Sequence, residues 1–555
     1  MAVTLYAPSA GEEVRATHVA QFVNLHTGAS GGGALVRLYD VSDSASYSVV
    51  VGNQDTTNGY ALKIQYGPVA TPTTLATFAK GGSRVQSASG SHYLDVSNSG
   101  VVISGTLTLN GSTIGSGIRA FNVLDYGITT STDLIEESGA AIRANNNTQL
   151  ATVMTAVEAA DGGEIFFPSH TINRFYPFNP VTLSHTTGAG ITVGLRGQGQ
   201  SSILQFYGTT SGFSGAYLNL AGSATNPFRQ SWIRDLVLQA TPSTTAAFAI
   251  TTGALLQVQT AFGYDVENCW FRHGWRGIEI GAGSLTGITA IPQNVRIRNV
   301  DLDLKTSSTD SAVVLRSAAG ISLVDSTFDG SSSGTIGLRV VPDGTNVTAT
   351  GYSAFDTLWV RGCNFKDHKT GLRMGEAGLV ANVMFSNSHL DGIGAAGVTN
   401  AVALHIETAG AATVENVQVS DAWMAVNATT TGYGALVSDA TGAIRNVQIR
   451  GNYWTGPVSG AIVVQGSPVA LVITGNLING AAAAGVSEID VAAGDRIVIA
   501  NNVVQGQSTS GYGIFAASGV TNLLVHGNIS TGKTSGVGFA GTTSATRIFA
   551  NNISN

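Results

Sequence analysis

A short phrase returns through most of this chain at intervals of 24 to 37 residues. It has two alternating apolar positions, then Asn, Gly or Asp, then a small or amide side chain, and a further apolar residue two places on. It stands as ISLVDSTF (321–328), LWVRGCNF (358–365), VMFSNSHL (383–390), VQIRGNYW (447–454), LVITGNLI (471–478) and IVIANNVV (497–504), with looser copies at 295–302, 522–530 and 547–554. A unit repeated in series, too short to bury a core alone, specifies a solenoid whose units stack on one another. Alternation within the phrase marks a strand with one face inward. The Asn, Gly or Asp supplies a left-handed backbone bend into the next short strand.

The sixth position of each phrase defines an anchor column: Leu236, Cys269, Val300, Ser326, Cys363, Ser388, Ala422, Asn452, Asn476, Asn502, Asn528 and Asn552, hence about 12 coils. A further strand follows in most coils, as in GIEI (277–280), GLRV (337–340), GLRM (371–374), GAIVV (460–464) and GYGIF (511–515). The fold class is therefore all-β: a right-handed, single-stranded parallel β-helix. Stacking at about 4.8 Å turns the late anchors into a buried asparagine ladder. Cys269 and Cys363 fall three coils apart, too far for a disulfide that needs Cα atoms about 4.4–6.8 Å apart. As small buried hydrophobes they fit a reducing compartment.

Bulk properties exclude several alternatives. With 70 Gly in no period of three, 12 Pro, and abundant aliphatics, the chain is neither collagenous nor disordered. The net charge of −7 is spread without a basic run, so no nucleic-acid partner is expected. No apolar run of about 18 residues occurs, so no membrane insertion is expected. The opening MAVTLYAPSAGEEV has no basic n-region, which gives the expectation of no signal peptide and of synthesis in a cytoplasm.

Five segments follow from texture. Residues 1–30 hold a short helix with a Ser9/Glu12 capping box; 31–92 read as a small β domain; 93–120 form a Gly-rich neck too brief to bury a core in one chain. Residues 121–230 open and cap the β-helix, and 231–555 are its regular coils. The cap is a helix in NNTQLATVMTAVEAADGG (146–163), with Asn147 at its start, Leu150, Val153, Met154 and Val157 as its apolar stripe, and Gly162 and Gly163 as its stop.

The run FNVLDYG (121–127), the cap helix ending AADGGEIFFPSHTI (159–172), and GLRGQGQSSILQF (194–206) resemble, in that order, the pectate-lyase-like β-helix superfamily of phage tailspikes and tail fibres. The family's acidic stretch before the helix is replaced here by ITTSTDLIEESGAAIRANNNT (128–148). The resemblance implies a virion spike that binds a bacterial surface polysaccharide, either as a depolymerase (glycoside hydrolase or lyase) or as a non-enzymatic adhesin. It also implies a homotrimer attached to a phage tail or capsid protein through residues 1–118. A free polysaccharide-degrading enzyme is the further alternative.

Cleavage on such a scaffold needs outward carboxylates from neighbouring coils. Three residues beyond successive anchors stand Gln239, Arg272, Asp303, Asp329, Lys366, Asp391, Ala425 and Thr455, a column that should face solvent. Asp303 and Asp329 would then sit about 5 Å apart, with Asp391 two coils on. Asp303, Asp329 and Asp391 are the catalytic candidates; their alternative role is to start turns. Lys366, Asp367 and His368 read either as a base with an orienting carboxylate or as a solvated turn. Arg339 and Arg373, in matching places with Glu279, could line a face that grips acidic sugars, or simply solubilise it. Trp275, read as a loop residue, is the candidate sugar platform, whereas Trp454 falls at an inward position. No calcium, zinc or other cofactor motif is present. The long coils 237–269, 327–363 and 389–422 should project loops from the middle of the stack.

Overall fold

In the computed structural model the chain divides into two compact units, Met1–Ile118 and Arg119–Asn555. The first is described only as the backbone of strands between 34 and 114; the second is described throughout apart from short connecting segments, of which 242–252, 282–290 and 343–353 are the longest. The helix expected within 1–30 lies outside the described residues. Seven strands, from Ala34–Tyr39 to Gly100–Ser104, pair each with the next in an antiparallel meander. Tyr93–Ser97 and Gly100–Ser104 belong to this sheet, so it continues into the segment read as a neck.

The second unit is a parallel β-helix with three faces. One coil shows the plan: Ala318–Val324 runs along the first face, Thr327–Asp329 along the second, Ile336–Val340 along the third, and Ala354–Arg361 begins the next coil on the first face. Each strand pairs in parallel with its counterpart one coil on. The second face is a sheet of 14 strands, mostly three to five residues long; the first and third faces merge into one of 26 strands.

All twelve residues that precede the anchors, from Asp235 to Asn551, have φ between 45° and 66°. Only Asp, Asn and Gly occupy this column, the residues that reach left-handed backbone at least cost. The anchors from Leu236 to Asn528 are buried. A bend leaves each anchor's N–H pointing along the stack, and the next anchor's side chain accepts it wherever it can. Val300 donates to Ser326 Oγ and Cys363 to Ser388 Oγ, both at 3.1 Å; Ala422 donates to Asn452 Oδ1 at 3.0 Å. From Asn452 to Asn528 each Nδ2 also donates to the next Oδ1 at 2.9–3.1 Å. Cys269 and Cys363 receive the N–H of Leu236 and Ser326, and burial pushes both thiols up to about 12. They stay protonated and unpaired.

The cap helix spans Ala140–Ala159 and buries Leu150, Val153, Met154 and Val157 against the first coils. Its N-cap is Gly139, eight residues before the Asn147 expected there from the sequence, so Asn147 lies inside the helix and is not its cap. Asn147 instead exchanges hydrogen bonds with Asn179 and donates to the Pro180 carbonyl. Its neighbour Asn146, fully buried, accepts from the Thr129 N–H and donates to the Thr129 and Pro177 carbonyls. The atypical loop is thereby tied to the cap. Asp161 and Gly162, at φ 59° and 117°, turn the chain out of the helix; a Cβ on Gly162 would stand 2.8 Å from the Thr192 carbonyl. Among the described residues no helix is long and apolar enough to cross a membrane.

Candidate functional site

The middle strands of the second face set an inward residue between two outward ones. Leu302, Phe328, Phe365, Leu390, Met424 and Trp454 point inward and are fully buried. Phe328 and Phe365 stack with centroids 4.8 Å apart, the spacing that the parallel strand pairing imposes on the outward residues on either side of them. Two outward columns result. One runs Asp303, Asp329, Lys366, Asp391, in adjacent coils as the register required. The other runs Asp301, Thr327, Asn364, His389, Trp423, Tyr453.

The acids are not equivalent. Lys366 Nζ lies 2.6 Å from Asp329 Oδ2, and that bond holds the ammonium above its usual range. Asp329 is thus engaged by a cation within its own column. Asp367 stands at the end of its strand in left-handed backbone; partial burial first, then the charges of Asp329 and Asp391, raise its carboxyl above the ordinary range. Beside these, His389 meets Trp423 edge to face at 5.4 Å, and Trp423 and Tyr453 keep 40% and 38% of their surface exposed. The sequence reading passed over His389, Trp423 and Tyr453. The signal was there: they occupy the seventh position of the phrase, which alternation sends outward.

Four expected features fall differently. His368 is fully buried inside the coil, so no exposed base forms with Lys366 and Asp367. Its Nε2 lies 3.0 Å from the Phe328 carbonyl, which can only accept, so Nε2 carries the proton and Nδ1 accepts from the Thr335 hydroxyl at 2.9 Å. Trp275 is half-buried and packs on the core, because its neighbours Gly274 and Ile278 are themselves inward; it is no platform. Arg339 and Arg373 do align, but Arg339 donates from Nε and Nη2 to the two oxygens of Glu376 at 2.5 and 2.9 Å, and Arg373 donates from Nε to Glu407 at 2.6 Å. The stripe is an internally neutralised ladder. Glu279 is buried between Arg276 and Arg316. Much of the expected loop surface, at 242–252, 343–353 and 395–397, lies outside the described residues. Among the described residues no group of three or more His, Cys, Asp or Glu could hold a metal ion.

Burial lowers the His368 imidazole to about 4 from 6.5. A depressed histidine contributes stability that is full above pH 6.5 and is lost as pH falls toward 4. The expected loss across that window is roughly 3 kcal/mol. Thermal midpoints measured from pH 7 to 4 should fall less steeply in His368→Leu; an unchanged slope would contradict the assignment.

A family model described as a right-handed β-helix region matches residues 370–553. No curated protein matches the chain. Among solved structures, bacteriophage phi29 gene product 12 is 14% identical, covering 74% of this chain and 52% of its own with a TM-score of 0.51. The A-module of the Azotobacter vinelandii mannuronan C-5 epimerase AlgE6 is 14% identical, covering 78% of this chain and 99% of its own (TM-score 0.41). The Yersinia enterocolitica family 28 exopolygalacturonase is 10% identical, covering 95% and 98% (TM-score 0.43). The family model, together with the likeness to the phage protein, concerns the fold alone: the second unit is a right-handed parallel β-helix.

Proposed function

We propose that this chain is a virion spike that attaches to a bacterial surface polysaccharide through the outward second face between Asp301 and Tyr453. It would act as a homotrimer, with residues 1–118 engaging the phage tail or capsid. The observation that carries the glycan reading is the pairing of two columns on one rigid sheet. Asp303, Asp329, Lys366 and Asp391 offer hydrogen-bonding groups to hydroxyls, and His389, Trp423 and Tyr453 offer ring faces and edges to apolar sugar faces. Both repeat once per coil, which suits an extended polymer. The virion and trimer assignments rest on the resemblance of residues 121–206 to tailspikes and on the separate N-terminal unit.

A hydrolytic reading is favoured by one further observation: Asp367, whose carboxyl is raised above its ordinary range by partial burial and by the neighbouring Asp329 and Asp391, has the kind of environment that suits a general acid. Titrating labelled surface polysaccharides from candidate hosts tests both readings. Trp423→Ala with Tyr453→Ala should weaken binding by about 10-fold or more, without altering the circular dichroism; unchanged affinity would remove the glycan face. New reducing ends that disappear in Asp367→Asn, while binding persists, would establish cleavage. Binding without new ends leaves an adhesin.

A further inference from the structure

The exposed rings of the middle coils do not stop at the corner between the first two faces. Among the described residues, the Trp and Tyr rings that keep more than a third of their surface are Trp359, Trp423, Tyr453 and Tyr512. Tyr512 stands apart on the third face, stacked on Phe515. The other three lie within four consecutive coils around one corner. Trp359 points outward from the first face and is in register with Met384 one coil on; they are 48% and 44% exposed. On the second face His389, in the same coil as Met384, is followed in register by Trp423 and Tyr453. These five residues form one oblique line that advances along the stack and turns the corner at Asn387, the bend between Met384 and His389.

The first-face part of this line is bordered by amides held in place. Asn446 donates from Nδ2 to Asn416 Oδ1 and Asn416 to Asn382 Oδ1, both at 3.2 Å, and Asn382 donates to Asp356 Oδ1 at 2.7 Å. Asn382, Asn416 and Asn446 stand in left-handed backbone at φ 54–57°, so one backbone requirement repeats the amide coil after coil. Asn382 and Asn416 are exposed, and beyond the bonds of the ladder each has a second N–H and a second lone pair to offer.

We infer that the glycan runs obliquely across this corner, from Trp359 on the first face to Tyr453 on the second, and that the ligand is therefore the interior of an extended chain rather than a terminal sugar. The inference rests on the glycan reading above and carries its site onto a face which that reading leaves out. Trp359 and Met384 together fall far short of the roughly 800 Å² that a protein partner covers on each side of a stable interface. A ring and a thioether beside fixed amides suit a sugar, which presents C–H groups on its ring face and hydroxyls at its rim. The dimensions suit a polymer: three coil steps of about 4.8 Å and a corner crossed in five residues give a path on the order of 20 Å, the length of about four linked pyranose rings. Amides already fixed in a ladder lose little freedom when such a chain binds.

The probe that tests this is the host surface polysaccharide bound in the titrations above, cut by partial acid hydrolysis into a labelled size series. Affinity of the unsubstituted protein should rise with length until the chain spans about four rings and then level off. Trp359→Ala should lower affinity about 10-fold or more for spanning oligosaccharides and leave disaccharides, which fit on Trp423 and Tyr453 alone, unchanged. Trp359→Phe, which keeps a ring, should recover most of the loss. Peroxide should oxidise Met384, the one exposed methionine among the described residues, and a spanning oligosaccharide, but not a disaccharide, should protect it. Equal affinity in Trp359→Ala at every length, with the losses from Trp423→Ala and Tyr453→Ala intact, would overturn the oblique track and leave the second-face reading standing. No binding by the unsubstituted protein would overturn both. A changed mass by light scattering in Trp359→Ala, with glycan affinity kept, would assign the patch to a second copy and overturn the track as well.

Discussion

Asn502→Ala should lower the unfolding free energy of the late coils by about 3–5 kcal/mol, a large share of what holds any protein folded. Asn502 is fully buried, and its Oδ1 accepts two donors from Asn476, the backbone N–H at 3.0 Å and Nδ2 at 2.9 Å. Its own Nδ2 donates to the Ile473 carbonyl at 3.0 Å and to Asn528 Oδ1 at 2.9 Å. Alanine strands the Asn476 N–H away from water and weakens the satisfaction of Asn528, and a buried donor left unpaired costs about 1–3 kcal/mol. It also opens a void where an amide stood. Serine should recover about half of the loss, because a hydroxyl still accepts the backbone N–H, as Ser326 and Ser388 do in the same column. Aspartate should be worse than serine: its second oxygen would face the Ile473 carbonyl and Asn528 Oδ1. Urea midpoints for the three variants give the ranking; an alanine variant within 1 kcal/mol of the unsubstituted protein would show that the ladder is incidental.

The bend and anchor columns were legible because each position has one physical requirement that few residues meet. Left-handed backbone favours Asn, Asp and Gly, and every residue read as a bend has it, including Asp235, Asp325 and Asp421. The outward column was legible for the same reason: alternation put Asp303, Asp329, Lys366 and Asp391 on one face in consecutive coils. Misreadings came where a residue leaves the strand. His368 lies two places beyond Lys366, past a left-handed residue at Asp367 that reverses the alternation and turns the ring inward. Likewise, Glu376 lies only three residues beyond Arg373, but its pairing with Arg339 one coil earlier, and that of Glu407 with Arg373, join residues 34 to 37 apart in the chain and appear only once the coils are stacked. The helix start was missed because Gly139 offers no side-chain cap, while Asn147 looks like one.

The corner that holds His368 also carries the second large effect: Lys533→Met should destabilise the fold by about 3–5 kcal/mol. Lys533 follows its outward residue, Thr531, by two places, as His368 follows Lys366, and Glu488 directly precedes a third-face strand, as Thr335 does. Where the middle coils fill this corner with a Thr335–His368 hydrogen bond, the late coils fill it with an ion pair, Lys533 Nζ to Glu488 Oε1 at 2.9 Å, both side chains wholly buried. Lys533 also donates to the Val486 carbonyl at 3.1 Å. Glycines make the room. A Cβ on Gly480 would stand 2.2 Å from Glu488 Oε1, one on Gly506 2.5 Å from Lys533 Cε, and one on Gly330 2.5 Å from His368 Nδ1. Removing the ammonium leaves a carboxylate in a dry site with no cation to offset its lost hydration, which is why breaking such a pair costs more than forming it gains. The double substitution Lys533→Met with Glu488→Leu removes both charges, and should recover most of the loss. If the double variant is as unstable as the sum of the singles, the pair is uncoupled and the corner is held by packing alone.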